Sequence, residues 1–285
     1  MFPDIGTPIA VNVDAFVDWL VITHGDFFEA IANGFLRVLV PIEQTLRNAP
    51  PPVILAIVGL IGFAASRRLL FALAMTALMW LIGCLGLWDQ AMQTIALLIV
   101  AVGISVILGI PIGVIAARSR VARAAINPLL DLMQTIPSFV YLIPAAMLFG
   151  LGKVPAILAT VVYATPPLIR LTDLGIREVD HETVEASRAF GATRWQVLTG
   201  VELPLALPTI MQGINQTMMM ALAMVVIASM IGARGVGETV LIGLQRNDPG
   251  TGLVGGLVIV LLAVIFDRTS QAIGHRLQAH RRARS

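Results

Sequence analysis

Uncharged apolar stretches alternate with short charged connections along most of the chain. Seven such stretches occur, at 48–66, 69–88, 90–117, 132–152, 154–169, 203–233 and 249–266. A charge at mid-bilayer costs about 2.5–3.5 kcal/mol on insertion scales, and a spanning helix needs about 20 apolar residues, so charge-free runs mark candidate spans. Only the fifth, 16 residues between Lys153 and Arg170, is short enough to need snorkelling flanks. Pro111, Pro137, Pro144 and Pro166-Pro167 lie inside the runs. Each removes a backbone donor, and the freed carbonyls need a neighbouring helix or a polar cavity. The pattern predicts an all-α integral membrane protein, a polytopic bundle of about seven transmembrane helices. The number drops to six if the first run, shortened by Pro50-Pro51-Pro52, fails to span.

The first fifty residues follow a different pattern. Val13, Phe16, Val17 and Leu20 recur at helical spacing with Asp14 and Asp18 on another face, and Phe27, Phe28, Ile31, Phe35 and Leu39 follow. This reads as an interfacial helix pair. Six acids against two arginines oppose adhesion to anionic lipid, leaving a protein-docked or outer-leaflet position. Three regions result: an amphipathic part over 1–50, a transmembrane domain over 51–270 with a polar loop at 170–204, and a basic tail over 271–285.

Composition agrees with the pattern. With 57% hydrophobic and 13% charged residues and a mean hydropathy of +0.87, a soluble domain is excluded. The net charge of +2 gives no electrostatic case for nucleic acid. Cys84, the one cysteine, excludes an internal disulfide. Lysines and arginines fall unevenly: fourteen, among them Arg67, Arg68, Arg118, Arg170, Arg177, Arg188, Arg194 and Arg268, lie on one side. Arg37, Arg47, Lys153, Arg234 and Arg246 lie on the other. The positive-inside rule then places the C-terminus and the 170–204 loop in the cytoplasm and the N-terminus outside.

Several chemistries are missing. By this division no span carries an acid, lysine or histidine in its interior, which disfavours gradient coupling. His24, His181, His275 and His280 lack a second ligand at metal spacing, so no metal site is expected. Gly152-Lys153 is followed by Val154 and preceded at the first glycine position by Met147, so no phosphate-binding loop exists to hold ATP. No Gly-x-Ser-x-Gly elbow supports a hydrolase. The chain is expected to be no enzyme and to carry no cofactor.

The 170–204 loop reads helix, glycine, helix. Asp180 is a fair N-cap with Glu182 in the first turn, and Gly191 stands where a left-handed residue would close that helix. Thr193 can cap a second helix through Leu198, and Pro204 opens the next span. A DNA-reading helix-turn-helix is opposed by six acids against four arginines and by two membrane tethers.

These residues carry a resemblance. Glu185-Ala186-Ser187, three residues, Gly191, nine residues, Val201, one residue, Leu203-Pro204 resembles the EAA signature of ATP-binding-cassette importer permeases. The departures are Ser187 for alanine and Val201 for isoleucine. The segments 133–142 and 164–170, and Gly232-Ala233-Arg234-Gly235-Val236-Gly237, are similar to permeases for glycine betaine, choline and proline betaine, over about residues 90–270. The resemblance implies a bacterial cytoplasmic-membrane subunit within a lipid bilayer, paired with a second permease copy as a homodimer. It also implies an ATPase subunit that binds ATP-Mg and an extracytoplasmic substrate-binding protein. In that family the loop is a coupling helix, so Glu185, Ala186, Ser187, Phe190, Gly191, Trp195, Leu203 and Pro204 become its candidate residues. Trp195, Phe190 and Val184 would anchor in the ATPase, and Glu185 would fix the loop through an ion pair or cap.

Substrate and gate residues are less specified. A quaternary amine is held by aromatic faces, which brings forward Phe139, Tyr141 and Tyr163, although packing and interface anchoring also explain them. Met218, Met219 and Met220 can line a pathway or pack against lipid and helices. The glycine-flanked 233–251 segment reads either as an outer-gate element or as an ordinary external loop. Arg234, Glu238, Arg246 and Asp248 are its candidates for meeting a binding protein. An ion-gradient carrier, an osmotically gated channel and a membrane scaffold are the competing classes.

Overall fold

The computed structural model describes residues 5–282, with side chains to Arg276, and every regular element among them is helical. Helix α1 (Gly6–Asn48) breaks at His24, whose φ of −124° and ψ of 21° leave the helical region. The first fifty residues are therefore two helical segments meeting at one joint. The first shows solvent or lipid its apolar side, with Ile9, Phe16 and Ile22 exposed. The second inserts Leu39, fully buried, against Leu97 and Ala101. Pro50 stops α1, and α2 (Pro51–Ser66) departs at 108°, its prolines pre-set for a helix start.

Helix α2 doubles back into α3 (Leu69–Cys84) through Arg67, which adopts a left-handed φ of 54°. Each has 16 residues and so reaches about 24 Å, short of a hydrocarbon core of about 30 Å. Helix α4 (Trp88–Arg118) is longer, at 31 residues. The apolar run over 132–152 is not one helix. Helix α5 (Arg120–Thr135) ends at Ile136, which Pro137 forces extended. A 3-10 turn (Ser138–Tyr141) then leads into α6 (Leu142–Phe149) at 106° to α5.

Helices α7 (Lys153–Ala164) and α8 (Pro166–Arg177) run as one 25-residue span. After α9 (His181–Ala189) and α10 (Arg194–Val197), a π turn (Leu198–Glu202) joins α11 (Leu203–Ala228). A 3-10 turn at Ser229–Ile231 precedes α12 (Val236–Gln245) and α13 (Pro249–Arg282). Four runs are long and apolar enough to cross a membrane, and the two bent pairs raise this to six. With α3 as a further short apolar helix, the total agrees with the expected six to seven. No break occurs at residue 271, because α13 continues through it; the side chains of His280, Arg281, Arg282 and Arg284 lie outside those described.

Helices α4, α8 and α11 pack at the centre. Small residues permit this: a Cβ at Gly113 of α4 would lie 2.5 Å from Thr172 Cβ of α8. The fifth span corrects the division by charge. Arg170, Asp173 and Arg177 all lie within α8, and Asp173 is buried. Asp173 accepts from Arg123 Nε at 3.1 Å and from Arg177 Nε at 3.0 Å, and Arg170 pairs with Asp131. A buried charge persists when paired, so the helical run continues past Arg170 and includes an acid. Two arginines share its Oδ1.

Candidate coupling site

Local sequence chemistry shapes the loop between α8 and α11. Asp180 caps α9, its Oδ1 accepting from Glu182 N–H at 3.2 Å and its Oδ2 from Thr183 Oγ1 at 3.1 Å. Gly191, at φ +83°, ends the helix with its N–H on Arg188 O at 2.9 Å. This left-handed geometry disfavours any residue with a Cβ. Thr193 and Gln196 form a capping box that starts α10. Both predicted caps and the glycine stop are present.

Burial separates the loop's apolar residues. Val184, Val197 and Leu198 face inward, at 8%, 1% and 6% exposed, whereas Phe190 and Trp195 are 93% and 70% exposed. Val184 thus belongs to the loop's interior, and the outward apolar surface consists of Phe190 and Trp195. Ala186 is exposed and Ser187 half-buried on α9. Leu203 packs beside Leu198 and Ala206. Pro204 lies in the first turn of α11, directly after the π turn.

Glu185 forms its ion pair within α9. Among the described residues its ion-pair partner is His181 of the same helix, at 3.2 Å, with both side chains exposed. The tie to another helix is made by Arg118, at the end of α4, which donates from Nη2 to Glu202 Oε2 at 2.7 Å and to Arg194 O at 3.2 Å. Glu202 is 7% exposed. Sequence reasoning missed it because it occupies an unspecified position of the signature. Its only advance signal was an acid placed two residues before a span's proline.

The second half of the loop is continuous with a span. Residues Arg194–Ile231 form one 38-residue run through the π turn. π turns accommodate an extra residue and cluster at functional sites. Trp195 thus sits on the same helical run as α11.

Pathway candidates are only partly assembled. Tyr141 and Tyr163 face each other with ring centroids 6.3 Å apart, and Tyr141 O–H donates to Met133 O at 2.5 Å. Phe139 points outward, 54% exposed, and meets no other ring among the described residues. Met218, Met219 and Met220 are half-buried on α11, and Met220 packs against the core. A polar cluster that the sequence reading overlooked lies nearby, where Asp267 Oδ1 accepts from Asn215 Nδ2 at 2.9 Å and Ser270 Oγ donates to Asn215 Oδ1.

At the opposite end of α4 from Arg118, Thr94 Oγ1 accepts from Val236 N–H at 3.0 Å and seats α12. Segment 233–251 is thus a helix folded back on α13, with Gly243 and Gly252 allowing their backbones to touch. Arg234 and Arg246 are exposed and Glu238 is half-buried. Asp248 is committed to capping α13, accepting from Thr251 Oγ1 at 2.6 Å and Thr251 N–H at 3.1 Å. These bonds hold its carboxyl below the ordinary range. At this same end, Glu43 accepts from Lys153 Nζ at 2.6 and 2.5 Å, and Asp89 accepts from Arg47 Nε at 2.5 Å. Helix α1 is thereby tied to α7 and α4.

Residues 109–279 match the family described as "Binding-protein-dependent transport system inner membrane component". The glycine betaine/proline betaine transport system permease protein ProW of Escherichia coli (strain K12) is 46% identical over 258 residues, 90% of this chain and 73% of that protein. The glycine betaine transport system permease protein OpuAB of Bacillus subtilis (strain 168) is 42% identical over 266 residues, 93% and 94% of the two chains. An inward-facing structure of the MetNI methionine ABC transporter superposes with a TM-score of 0.59 at 25% identity, covering 70% of this chain and 97% of that one.

Proposed function

The chain belongs to the binding-protein-dependent transport system inner membrane component family, and from that premise we propose that it is the membrane subunit of an ATP-driven importer for glycine betaine or a related quaternary amine. Two copies would enclose the pathway. A separate ATPase, carrying ATP-Mg, would grip the loop, and a substrate-binding protein would deliver the amine at the α12 end. The loop, and with it the C-terminal end of α13, would face the cytoplasm across the bacterial cytoplasmic membrane.

The observation that carries this reading is the rod from Arg194 to Ile231, with Trp195 exposed at its loop end beside Phe190. Two exposed aromatic side chains on a capped scaffold are suited to a groove on a partner. Closure of two ATPase subunits would then tilt α11 as a rigid body and open the membrane-embedded part. The half-buried Tyr141, Tyr163 and Met218–Met220 are proposed to line a low-affinity path, leaving selection mainly to the binding protein. Arg234, Glu238 and Arg246 are the side chains offered to that protein. Asp248 would act only indirectly, by holding the α12–α13 turn.

The test is reconstitution with the ATPase and binding protein, followed by uptake of glycine betaine against its gradient. Trp195→Ala is expected to weaken ATPase association on the order of thirtyfold, as loss of an interface anchor does, and to abolish ATP-dependent uptake. Uptake driven by an ion gradient without ATP would replace the importer with a carrier. Passive equilibration alone would replace it with a channel.

A further inference from the structure

At the loop end of the bundle, the α2–α3 turn and α13 enclose an open pocket of about 790 Å³. Arg67, Arg68, Arg268, Arg276 and His275 line it, together with Phe71. Four guanidinium groups around one space repel each other, and the protein neutralises little of that charge. Among the described residues, Arg67, Arg68 and Arg276 form no ion pair, and Arg268 has only Asp267 at 3.9 Å. Asp267 is itself engaged by Asn215 and Gln271.

The pocket is structurally fixed. Arg276 donates to the Ala64 carbonyl near the end of α2, which binds α13 to the turn. Arg67 holds a φ of 54°, a region usually left to glycine. Ser66 Oγ accepts from Arg68 N–H at 3.2 Å. Helix α3 starts at Leu69 without a side-chain cap, so its first-turn amides add partial positive charge.

We infer that this pocket binds the phosphate headgroup of an anionic phospholipid from the leaflet at the loop end. The surroundings favour a lipid over a soluble anion. Phe63, Leu69, Leu70 and Leu73, on the two helices that flank the turn, are 48%, 66%, 81% and 57% exposed. An acyl chain covers such a surface, whereas free phosphate would leave it bare. Basic pockets between helices at a membrane face recognise headgroups through this combination of charge and apolar flank. The bound lipid would pin the short α2–α3 hairpin to α13.

The test uses the purified full chain, equilibrated with phosphatidylglycerol and phosphatidylcholine, with retained lipid identified by native mass spectrometry. The wild type is expected to retain phosphatidylglycerol preferentially. Arg67→Gln with Arg276→Gln should lower that affinity on the order of thirtyfold, whereas Arg67→Lys with Arg276→Lys, and the distant pair Arg37→Gln with Arg120→Gln, should preserve it. Undiminished retention in the first pair would overturn the assignment. Displacement of phosphatidylglycerol by inorganic phosphate would also overturn it and give the pocket to a soluble anion. A second measurement needs no variant: phosphatidylglycerol vesicles, but not phosphatidylcholine vesicles, should slow hydrogen exchange at the Leu69–Phe71 amides. Equal exchange with both would sink the proposal.

Discussion

The guanidinium of Arg118 holds two loop atoms at once, the Glu202 carboxylate and the Arg194 carbonyl. Replacing it with methionine leaves Glu202 buried without a cation, at a cost of about 3–5 kcal/mol when a buried pair loses one partner. Part of this is relieved because the Arg118 side chain is 31% exposed, so about 1–3 kcal/mol is a better expectation. Arg118→Met should therefore loosen the loop, measured as faster hydrogen exchange over 194–202, with the helical spans unaltered. Gly191 acts through backbone instead. Gly191→Val places a β-branched residue at φ +83°, costing about 1–2 kcal/mol or more. The expected result is normal membrane insertion with ATP-dependent uptake reduced at least tenfold. Uptake at the wild-type rate would remove the glycine turn from the coupling role.

Among the elements, α8 shows most clearly what hydropathy could and could not reveal. Its start, its prolines and its partner α7 were legible from residues 154–169. Its true end at Arg177 was not, because Asp131 and Arg123, far away in sequence, neutralise Arg170 and Asp173, and Arg177 pairs with Asp173 one turn away. Local pattern reports the cost of a charge, and only the fold reports its partner. The same limit hid the role of Glu202, whereas the Asp180, Thr193 and Gly191 caps were legible because they are satisfied within three or four residues. The break at Ile136 was foreshadowed by Pro137, but its 106° angle depends on tertiary packing. Gly113→Val tests the contact of α8 with α4. Its side chain would collide with Thr172, and overpacking of this kind costs about 1–3 kcal/mol. A lower unfolding temperature in detergent is expected, with loss of uptake following only from loss of protein.

Across the whole molecule, two charged clamps lie at opposite ends of α4, one at Arg118 and one at Asp89 with Arg47, Glu43 and Lys153. Thr94 and Arg118 are 24 residues apart, about 36 Å along a helix. A helix held at both ends is a fixed post, against which the Arg194–Ile231 rod can tilt. Lys153→Met should release α1 without disturbing the loop end, because Glu43 keeps only Arg47 at 3.5 Å. Proteolysis near His24 and Asn48 should accelerate severalfold while the coupling loop stays protected; equal protection of both would show that packing and the Arg47–Asp89 pair suffice to hold α1. The same clamp carries a consequence for biogenesis. Glu43 leaves the ribosome 110 residues before Lys153, so while the five intervening α-helices are synthesised its carboxylate has no lysine to receive it. The last charged tie of α1 can close only after α7 emerges, which makes it a checkpoint that a chain ending before Lys153 never passes.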